Sequence, residues 1–234
     1  MKVLVIDVGG THVKLLASGA AKPRRFSSGK DLTAEKGVNQ ARDLAEGWDY
    51  EAVSLGFPGL VDSNGARAEP ENLGPGWVDF DFAAAFGRPV KVINDAAMQA
   101  LGSYEGGRML FLGLGTGVGS TLVAQKVVVP LELGGLPFRD DTLAGYLGRE
   151  GFEKRGKEEW GRALTEAVGL LKRAFVADYV VLGGGNVKEL ESLPEGARKG
   201  GNENAFKGGF RLWETEIVHL DKEDAPAEVW QVVY

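Results

Sequence analysis

The sequence predicts an α/β protein built as two similar lobes with a cleft between them. Three observations predict it. Short apolar runs alternate along the chain with segments of helical periodicity. A strand, a glycine turn and a returning strand occur twice, near residues 3–17 and 109–124. Glycine supplies 35 of the 234 residues, well above the usual share of about 7%. The glycines cluster at Gly9-Gly10, on alternate positions from Gly115 to Gly119, and at Gly134-Gly135, Gly183-Gly184-Gly185 and Gly208-Gly209. Clustered glycine after apolar strands marks backbone that turns tightly or lies close to a ligand. The lobes are expected at 1–107 and 108–234, meeting near Gly106-Gly107.

In order, residues 3–7 are an apolar strand ending in Asp7, Gly9-Gly10-Thr11 turns it, and residues 13–17 return as a strand. The Pro/Arg/Ser stretch 22–30 reads as loop. Thr33 caps a helix to about residue 46, with Val38, Ala41, Leu44 and Ala45 on one face. Residues 52–56 form a strand broken by Pro58-Gly59, and Asp62-Ser63-Asn64-Gly65 is a turn signal. A Gly/Pro loop spans 72–77, a short helix 80–86 and a strand 90–93, after which Asn94-Asp95 leads into a helix over 96–104. The second half repeats this opening, with strands at 109–114, 120–124 and 127–131. A helix follows over 158–175, then a buried strand over 179–182. A last helix is expected over 206–216, where Gly208 and Gly209 each weaken it by about 1 kcal/mol.

Composition narrows the function classes. Apolar residues make up 44% and charged residues 26%, as in ordinary globular chains. The net charge of −6 offers no global attraction for nucleic acid, and no nucleic-acid partner is expected. The absence of cysteine excludes disulfides, thiolate zinc sites and cysteine nucleophiles. With only His12 and His219, the His-rich metal motifs are excluded too. No apolar run approaches the roughly 18 residues of a membrane span, and Asp7 comes too early for a signal peptide. A cytoplasmic protein with no membrane partner is expected.

The chemistry lies at the turns and strand ends. Glycine-rich turns aim backbone N–H groups at an anion with no side chain in the way. Asp7 can hold Mg²⁺ directly or through water, Lys14 can reach a phosphate, and Thr116 offers a hydroxyl. Each turn is equally compatible with a plain tight hairpin. The GxGxG run is not followed by a helix, as a dinucleotide fingerprint requires, and no Walker-type Gly-Lys-Ser/Thr is present. Asp95 sits where a strand meets a helix, a favoured place for ligand chemistry. There it is either a base for an attacking hydroxyl or the helix N-cap.

Together these residues resemble a known set. Asp7-Val8-Gly9-Gly10-Thr11-His12-Val13-Lys14 is similar to the first phosphate motif of the sugar kinase/actin/Hsp70 superfamily. Leu114-Gly115-Thr116-Gly117-Val118-Gly119 resembles its second, and Val181-Leu182-Gly183-Gly184-Gly185 its nucleotide-binding turn. Pro58-Gly59, Glu71-Asn72-Leu73 with Trp77, and Asn94-Asp95-Ala96 resemble sugar-site segments of the ROK (repressor, open reading frame, kinase) family. The match is nearest to its polyphosphate/ATP glucokinase branch and runs over residues 2–214. It implies a two-lobed actin-like ATPase (ribonuclease H-like) fold with a central cleft. It also implies a glucokinase-type enzyme that uses ATP or polyphosphate on the 6-hydroxyl of a hexose.

By position, the resemblance makes Asp95 the general base. Gly59, Asn72, Asn94, Asp95 and Glu132 would form the sugar site. Gly9, Gly10, Thr11, Lys14, Gly115, Thr116 and Gly117 would hold phosphates, with Gly183, Gly184 and Gly185 beside the nucleotide. Asp7 would hold Mg²⁺ through water, and a homodimer is implied. The repressors of the family carry an N-terminal helix-turn-helix, whereas this chain opens on its first strand, so a kinase is expected.

The chain departs from the family at three places. The zinc motif is absent, so no zinc is expected, as in the polyphosphate branch. Glu132-Leu133-Gly134-Gly135 stands where Glu-x-Gly-His is usual, and residues 142–146 carry no second sugar-binding acid. A polar site that loses partners binds its sugar less tightly or selects another. The alternatives are therefore a non-catalytic sugar-binding protein, or a kinase for mannose or an N-acylated hexosamine. The basic cluster Lys154-Arg155-Gly156-Lys157 with Arg162 is either a solvated face or a track for polyphosphate. Trp48, Trp160, Trp213 and Trp230 read as packing residues, and Trp77 as the tryptophan nearest the sugar segments.

Overall fold

The computed structural model describes residues 1–201, 203–214 and 230–233. His219 and Pro226 lie outside the described residues, and the last helix, expected to reach 216, already ends at Arg211.

The first hairpin forms as expected. β1 (Val3–Val8) pairs antiparallel with β2 (His12–Ala17), and Asp7 stands opposite Lys14. The segment expected as loop contains β3 (Arg24–Ser27), an edge strand on β2. It lacks apolar alternation because it is half-exposed at a sheet edge, where backbone pairing carries the strand. α1 (Ala34–Leu44) is capped by Thr33, whose hydroxyl accepts the N–H of Lys36. β4 (Ala52–Phe57) runs parallel to β1. The turn signal lies in a small hairpin of β5 (Val61–Asp62) and β6 (Gly65–Ala66). α2 (Phe82–Phe86), β7 (Val90–Asn94) and α3 (Asp95–Ser103) complete the half.

The second half starts with β8 (Arg108–Leu114), β9 (Val118–Ala124) and β10 (Val127–Leu131). A two-residue pair, β11 (Pro137–Phe138) and β12 (Asp141–Thr142), leads into α4 (Leu143–Leu147) and α5 (Arg149–Ala174). Gly156 interrupts α5 with φ 76°, which is why helical periodicity reads cleanly only from residue 158. β13 (Tyr179–Gly183), β14 (Ala197–Lys199), α6 (Asn204–Arg211) and β15 (Gln231–Val232) follow.

The repeat seen in the sequence is a repeat of topology. One sheet has the order β3-β2-β1-β4-β7, and the other contains β10-β9-β8-β13-β14 with β15 added beside β10. In both, the first three strands are antiparallel and the remaining two are parallel to the first.

Three apolar clusters stack through the molecule. One packs α1, α2 and Trp77 on the first sheet. Another packs α4 and α5 on the second. The third lies between the sheets and is built on α3 and α6.

α3 and α6 cross at glycines. A Cβ on Gly102 would lie 1.8 Å from the Asn204 carbonyl oxygen, and one on Gly208 would lie 1.8 Å from that of Met98. Gly208, which weakens a lone helix, is therefore required by the crossing, and Gly209 by the packing of α6 on Val5 of β1. Although α6 follows the second-lobe strands in sequence, it packs on β1 and β4 of the first sheet. Two cations fasten α6, one to α3 and one to β7. Arg211 donates to the carbonyls of Leu101 and Tyr104 at the end of α3, and Lys91 Nζ donates to the Leu212 carbonyl at the end of α6.

Candidate active site

The cleft is built from the first hairpin, the start of α3 and the second hairpin. Asp7 is buried, 8% exposed, because β1 lies inside its sheet. Its Oδ2 is 3.5 Å from Lys14 Nζ. Burial pushes the carboxyl above the ordinary carboxylate range, and the Lys14 charge opposes the shift. The Gly9 N–H closes the turn on the His12 carbonyl at 3.0 Å. Ser28 braces it, its hydroxyl donating to the Gly9 carbonyl at 2.6 Å and its N–H to that of Thr11. Ser28 lies in the segment read as loop, and only the pairing of β2 with β3 brings it here. Gly10 and Thr11 are exposed, and a Cβ on Gly10 would lie 3.5 Å from Asn72 Cβ. Asn72 thus flanks the first turn.

The sequence left Asp95 as base or cap, and the structure gives the cap to its neighbour. Asn94 Oδ1 accepts the N–H of Ala97 at 3.1 Å, and its Nδ2 donates to the Gly59 carbonyl at 3.0 Å. Asn94 thereby starts α3 and fixes Gly59. Asp95 Oδ1 accepts the N–H of Ala96 at 2.8 Å. Desolvation of its carboxyl, with the Asp7 charge adding to it, pushes Asp95 up to about 7, and Glu132 contributes in the same direction. A strand-end carboxyl titrating near neutrality is suited to taking a proton. Ala96 lies against the second hairpin, where a Cβ on Gly119 would come within 2.8 Å of its own Cβ. The start of α3 therefore touches strands of both sheets, Gly119 of β9 and Gly56 of β4.

The second and third glycine turns form one unit. The N–H of Arg149, opening α5, donates to the carbonyls of Gly115 and Thr116. Asn186 Nδ2 donates to the Gly115 carbonyl at 3.2 Å. A Cβ on Gly184 would lie 2.4 Å from the Leu114 carbonyl oxygen, so the Gly183-Gly184-Gly185 turn is pressed against the end of β8. Thr116, Gly117 and Gly185 are exposed. Asn186 and Arg149 carried no signal in the sequence, because each acts only on backbone carbonyls of a turn remote in the chain.

On the opposite side, Glu69 organises the Gly/Pro loop. Its carboxylate accepts the N–H groups of Gly76, Trp77 and Val78. Trp77 is only 2% exposed, with its indole N–H on the Gly74 carbonyl. It belongs to the core with Phe57 and Phe82, which corrects its reading as the tryptophan of the sugar side. Glu132 is exposed at the end of β10. At Gly135 an added Cβ would meet nothing within 4 Å. The acids near α4 serve locally, Asp140 accepting the Tyr146 hydroxyl and Asp141 pairing with Arg155.

The basic cluster is neutralised. Arg155 turns inward, 3.6 Å from the centroid of the Tyr146 ring, and donates to the Gly145 carbonyl. Lys157 pairs with Glu191, and Arg162 with Glu158 and Glu159. Three of its four cations are thus engaged, two of them in exposed surface pairs, as on a solvated face. The other four tryptophans pack against protein. Arg24 lies over Trp48, Trp160 is buried, Trp213 donates to Ser54, and Trp230 meets Tyr104 edge to face.

Among the described residues no three His, Asp or Glu side chains come together as a metal cage, and no helix is long and apolar enough to cross a membrane.

No protein-family model matches the chain. It is 31% identical over 182 residues to an N-acetylmannosamine kinase of Vibrio vulnificus, a match covering 67% of this chain and 56% of that protein. It is 30% identical over 162 residues to the bifunctional enzyme NanE/NanK of Brucella melitensis, covering 63% and 30%. The chain thus spans about half the length of the first of these relatives and about a third of the second. Among solved structures, the inorganic polyphosphate/ATP-glucomannokinase of an Arthrobacter species superposes with a TM-score of 0.75 at 24% identity, covering 89% of this chain and 96% of that one. A ROK family glucokinase of Streptomyces griseus, in complex with glucose and AMPPNP, superposes at 0.66 with 18% identity, covering 89% and 98%. The fold is the two-lobed actin-like fold of the ROK sugar kinases.

Proposed function

We propose that this chain, which carries the ROK sugar-kinase fold, is itself a sugar kinase that transfers a phosphoryl group from ATP or polyphosphate to the 6-hydroxyl of a hexose. The observation that carries the reading is Asp95. Asn94 takes the helix cap, burial and the Asp7 charge push the Asp95 carboxyl up to about 7, and its neighbour Ala96 packs against Gly119 of the second hairpin. In this reading the Asp95 carboxylate takes the hydroxyl proton as the sugar oxygen attacks the terminal phosphorus, and the bridging oxygen departs with the donor. Gly10, Thr11 and Lys14 on one side, and Thr116 and Gly117 on the other, hold the phosphates through backbone N–H groups, a hydroxyl and a charge, while the N–H groups of Gly9 and Gly115, expected to do the same, close the two turns on the His12 and Gly117 carbonyls. Gly183, Gly184 and Gly185 lie beside the nucleoside when ATP is the donor. Gly59, Asn72, Asn94 and Glu132 orient the sugar.

Mg²⁺ fits this donor set, because it keeps several waters and needs only one or two carboxylates besides substrate phosphates. Asp7 is such a carboxylate, buried and raised, and a cation would relieve its desolvation. Bound there with the donor, Mg²⁺ would neutralise phosphate charge.

Glucose is the leading sugar. A hexose with a larger substituent, as in N-acetylmannosamine, is the second reading. The open space at Gly135 and the identity to N-acetylmannosamine kinases favour it.

A coupled assay tests the proposal. Glucose, mannose and N-acetylmannosamine are each offered with Mg²⁺ and ATP or polyphosphate, with Asp95→Asn as control. Turnover with one pair, lost in the variant, supports the kinase reading and identifies sugar and donor. Tight sugar binding by calorimetry with no turnover from any pair would replace it with a sugar-binding protein. Light scattering in solution tests the homodimer that belongs to this reading.

A further inference from the structure

Gln99, on α3, is a polar side chain that neither the motifs nor the roles above account for. It follows Asp95 by four residues on α3, one helical turn later, so both project from the same helix face. It is half-buried. A Cβ on Gly183 would lie 3.4 Å from Gln99 Oε1 and 2.5 Å from the Phe111 ring. The backbone at the head of the third glycine turn is therefore held between Phe111 and the Gln99 carboxamide, which reaches it from α3 between the sheets. Among the described residues that carboxamide makes no hydrogen bond.

Resting on the kinase reading, we propose that Gln99 positions the phosphoryl donor, its carboxamide N–H donating to the phosphate chain where this passes from the Gly183-Gly184-Gly185 turn toward Asp95. The chemistry suits the place. A half-buried amide with no partner retains its full donor capacity. A cation on that face would pair with Asp95 and disturb the base, and an acid would repel the phosphates. A neutral donor does neither. Because Gln99 and Asp95 share one rigid helix, a donor held by the amide is aligned with the base.

The test is donor binding by calorimetry with Mg²⁺, using a non-hydrolysable ATP analogue and polyphosphate, on wild type, Gln99→Met and Gln99→Glu. Methionine keeps the length and shape of glutamine without its donors. Expected for Gln99→Met is donor affinity weakened about tenfold, the scale of one hydrogen bond to a charged group, with sugar affinity and Tm unchanged. Gln99→Glu binds donor more weakly still. Wild-type donor affinity in Gln99→Met would assign the side chain to packing alone and overturn the proposal. Should Gln99→Met lower Tm, Gln99→Glu decides by the same criterion. Wild type that binds neither donor overturns the kinase reading itself. Wild type that binds a donor, beside variants that bind it equally well, overturns only the role of Gln99.

Discussion

Asn94 Oδ1 accepts the N–H of Ala97 and so caps the helix that Asp95 begins. The two neighbours divide the work of a strand-to-helix junction. One satisfies the free helix end and holds Gly59, and the other leaves an ionisable group in the cleft. A capping aspartate is held in its charged form by the helix N–H groups it binds, whereas Asp95 is pushed the opposite way, to about 7.

Asp95→Asn separates activity from stability. With Asp95 as general base, kcat falls by roughly 10²–10⁴ while sugar affinity stays near wild type. The folded carboxyl titrates higher than in the unfolded chain, so its contribution to stability is complete below the unfolded value near 4 and is lost as pH rises through about 7. The neutral amide escapes that loss. Thermal melts are expected to place Asp95→Asn above wild type in Tm at pH 8, with the advantage shrinking toward pH 4.

The pH–rate profile follows from the same group. Asp95 must be deprotonated to accept the hydroxyl proton, so kcat/KM rises with pH along a limb centred near 7. In Asp95→Asn that limb disappears. A limb centred near 4 instead would contradict the assignment.

Asn94→Ala removes both the cap and the tie to Gly59. The lost cap costs about 1 kcal/mol, and the freed Gly59 raises the sugar KM. Asn94→Asp restores the cap oxygen but not the Nδ2–H donor. Denaturant melts together with sugar KM therefore separate the two functions, with stability recovered in the aspartate variant and KM not.

Glu69→Ala releases three N–H groups of the loop that follows Asn72. Sugar KM is expected to rise severalfold with donor KM unchanged, measured by varying each substrate separately. An equal rise in both would place the loop outside the sugar side.

The helix crossing tolerates no side chain. Gly102→Ala and Gly208→Ala each drive a methyl group into a carbonyl oxygen of the other helix. Each costs about 3 kcal/mol or more, at the severe end of overpacking. Gly161→Ala, on an open face of α5, serves as control and keeps or raises Tm.

Much of this was legible beforehand, for local reasons. The two hairpins, the Thr33 cap, the short helix ahead of β7 and the start of β13 are marked by apolar runs and turn residues a few positions apart. The same local patterns brought out Asp7, Lys14, Asp95 and the three glycine turns. β3, β14, β15 and α4 were not foreseen, because a short or half-exposed element held by its neighbour's backbone has little periodicity of its own. Trp77 was misread because it adjoins the Asn72 segment in sequence, while the loop drawn in by Glu69 sends the ring into the core. In the basic run at 154–157, Lys154 and Lys157 are exposed as on a solvated face, and only the inward turn of Arg155 toward Tyr146 and Asp141 was not legible.

The sequence by itself determined that the chain is a doubled α/β arrangement with glycine turns at corresponding strand ends, because strand period, turn chemistry and glycine placement are local. Only the tertiary structure decided which of Asn94 and Asp95 caps, that Gly102 and Gly208 are the contact between α3 and α6, and that Gln99 reaches Gly183. Those outcomes depend on desolvation and on distances between segments remote in the chain, and such quantities exist only once the two sheets close over α3 and α6.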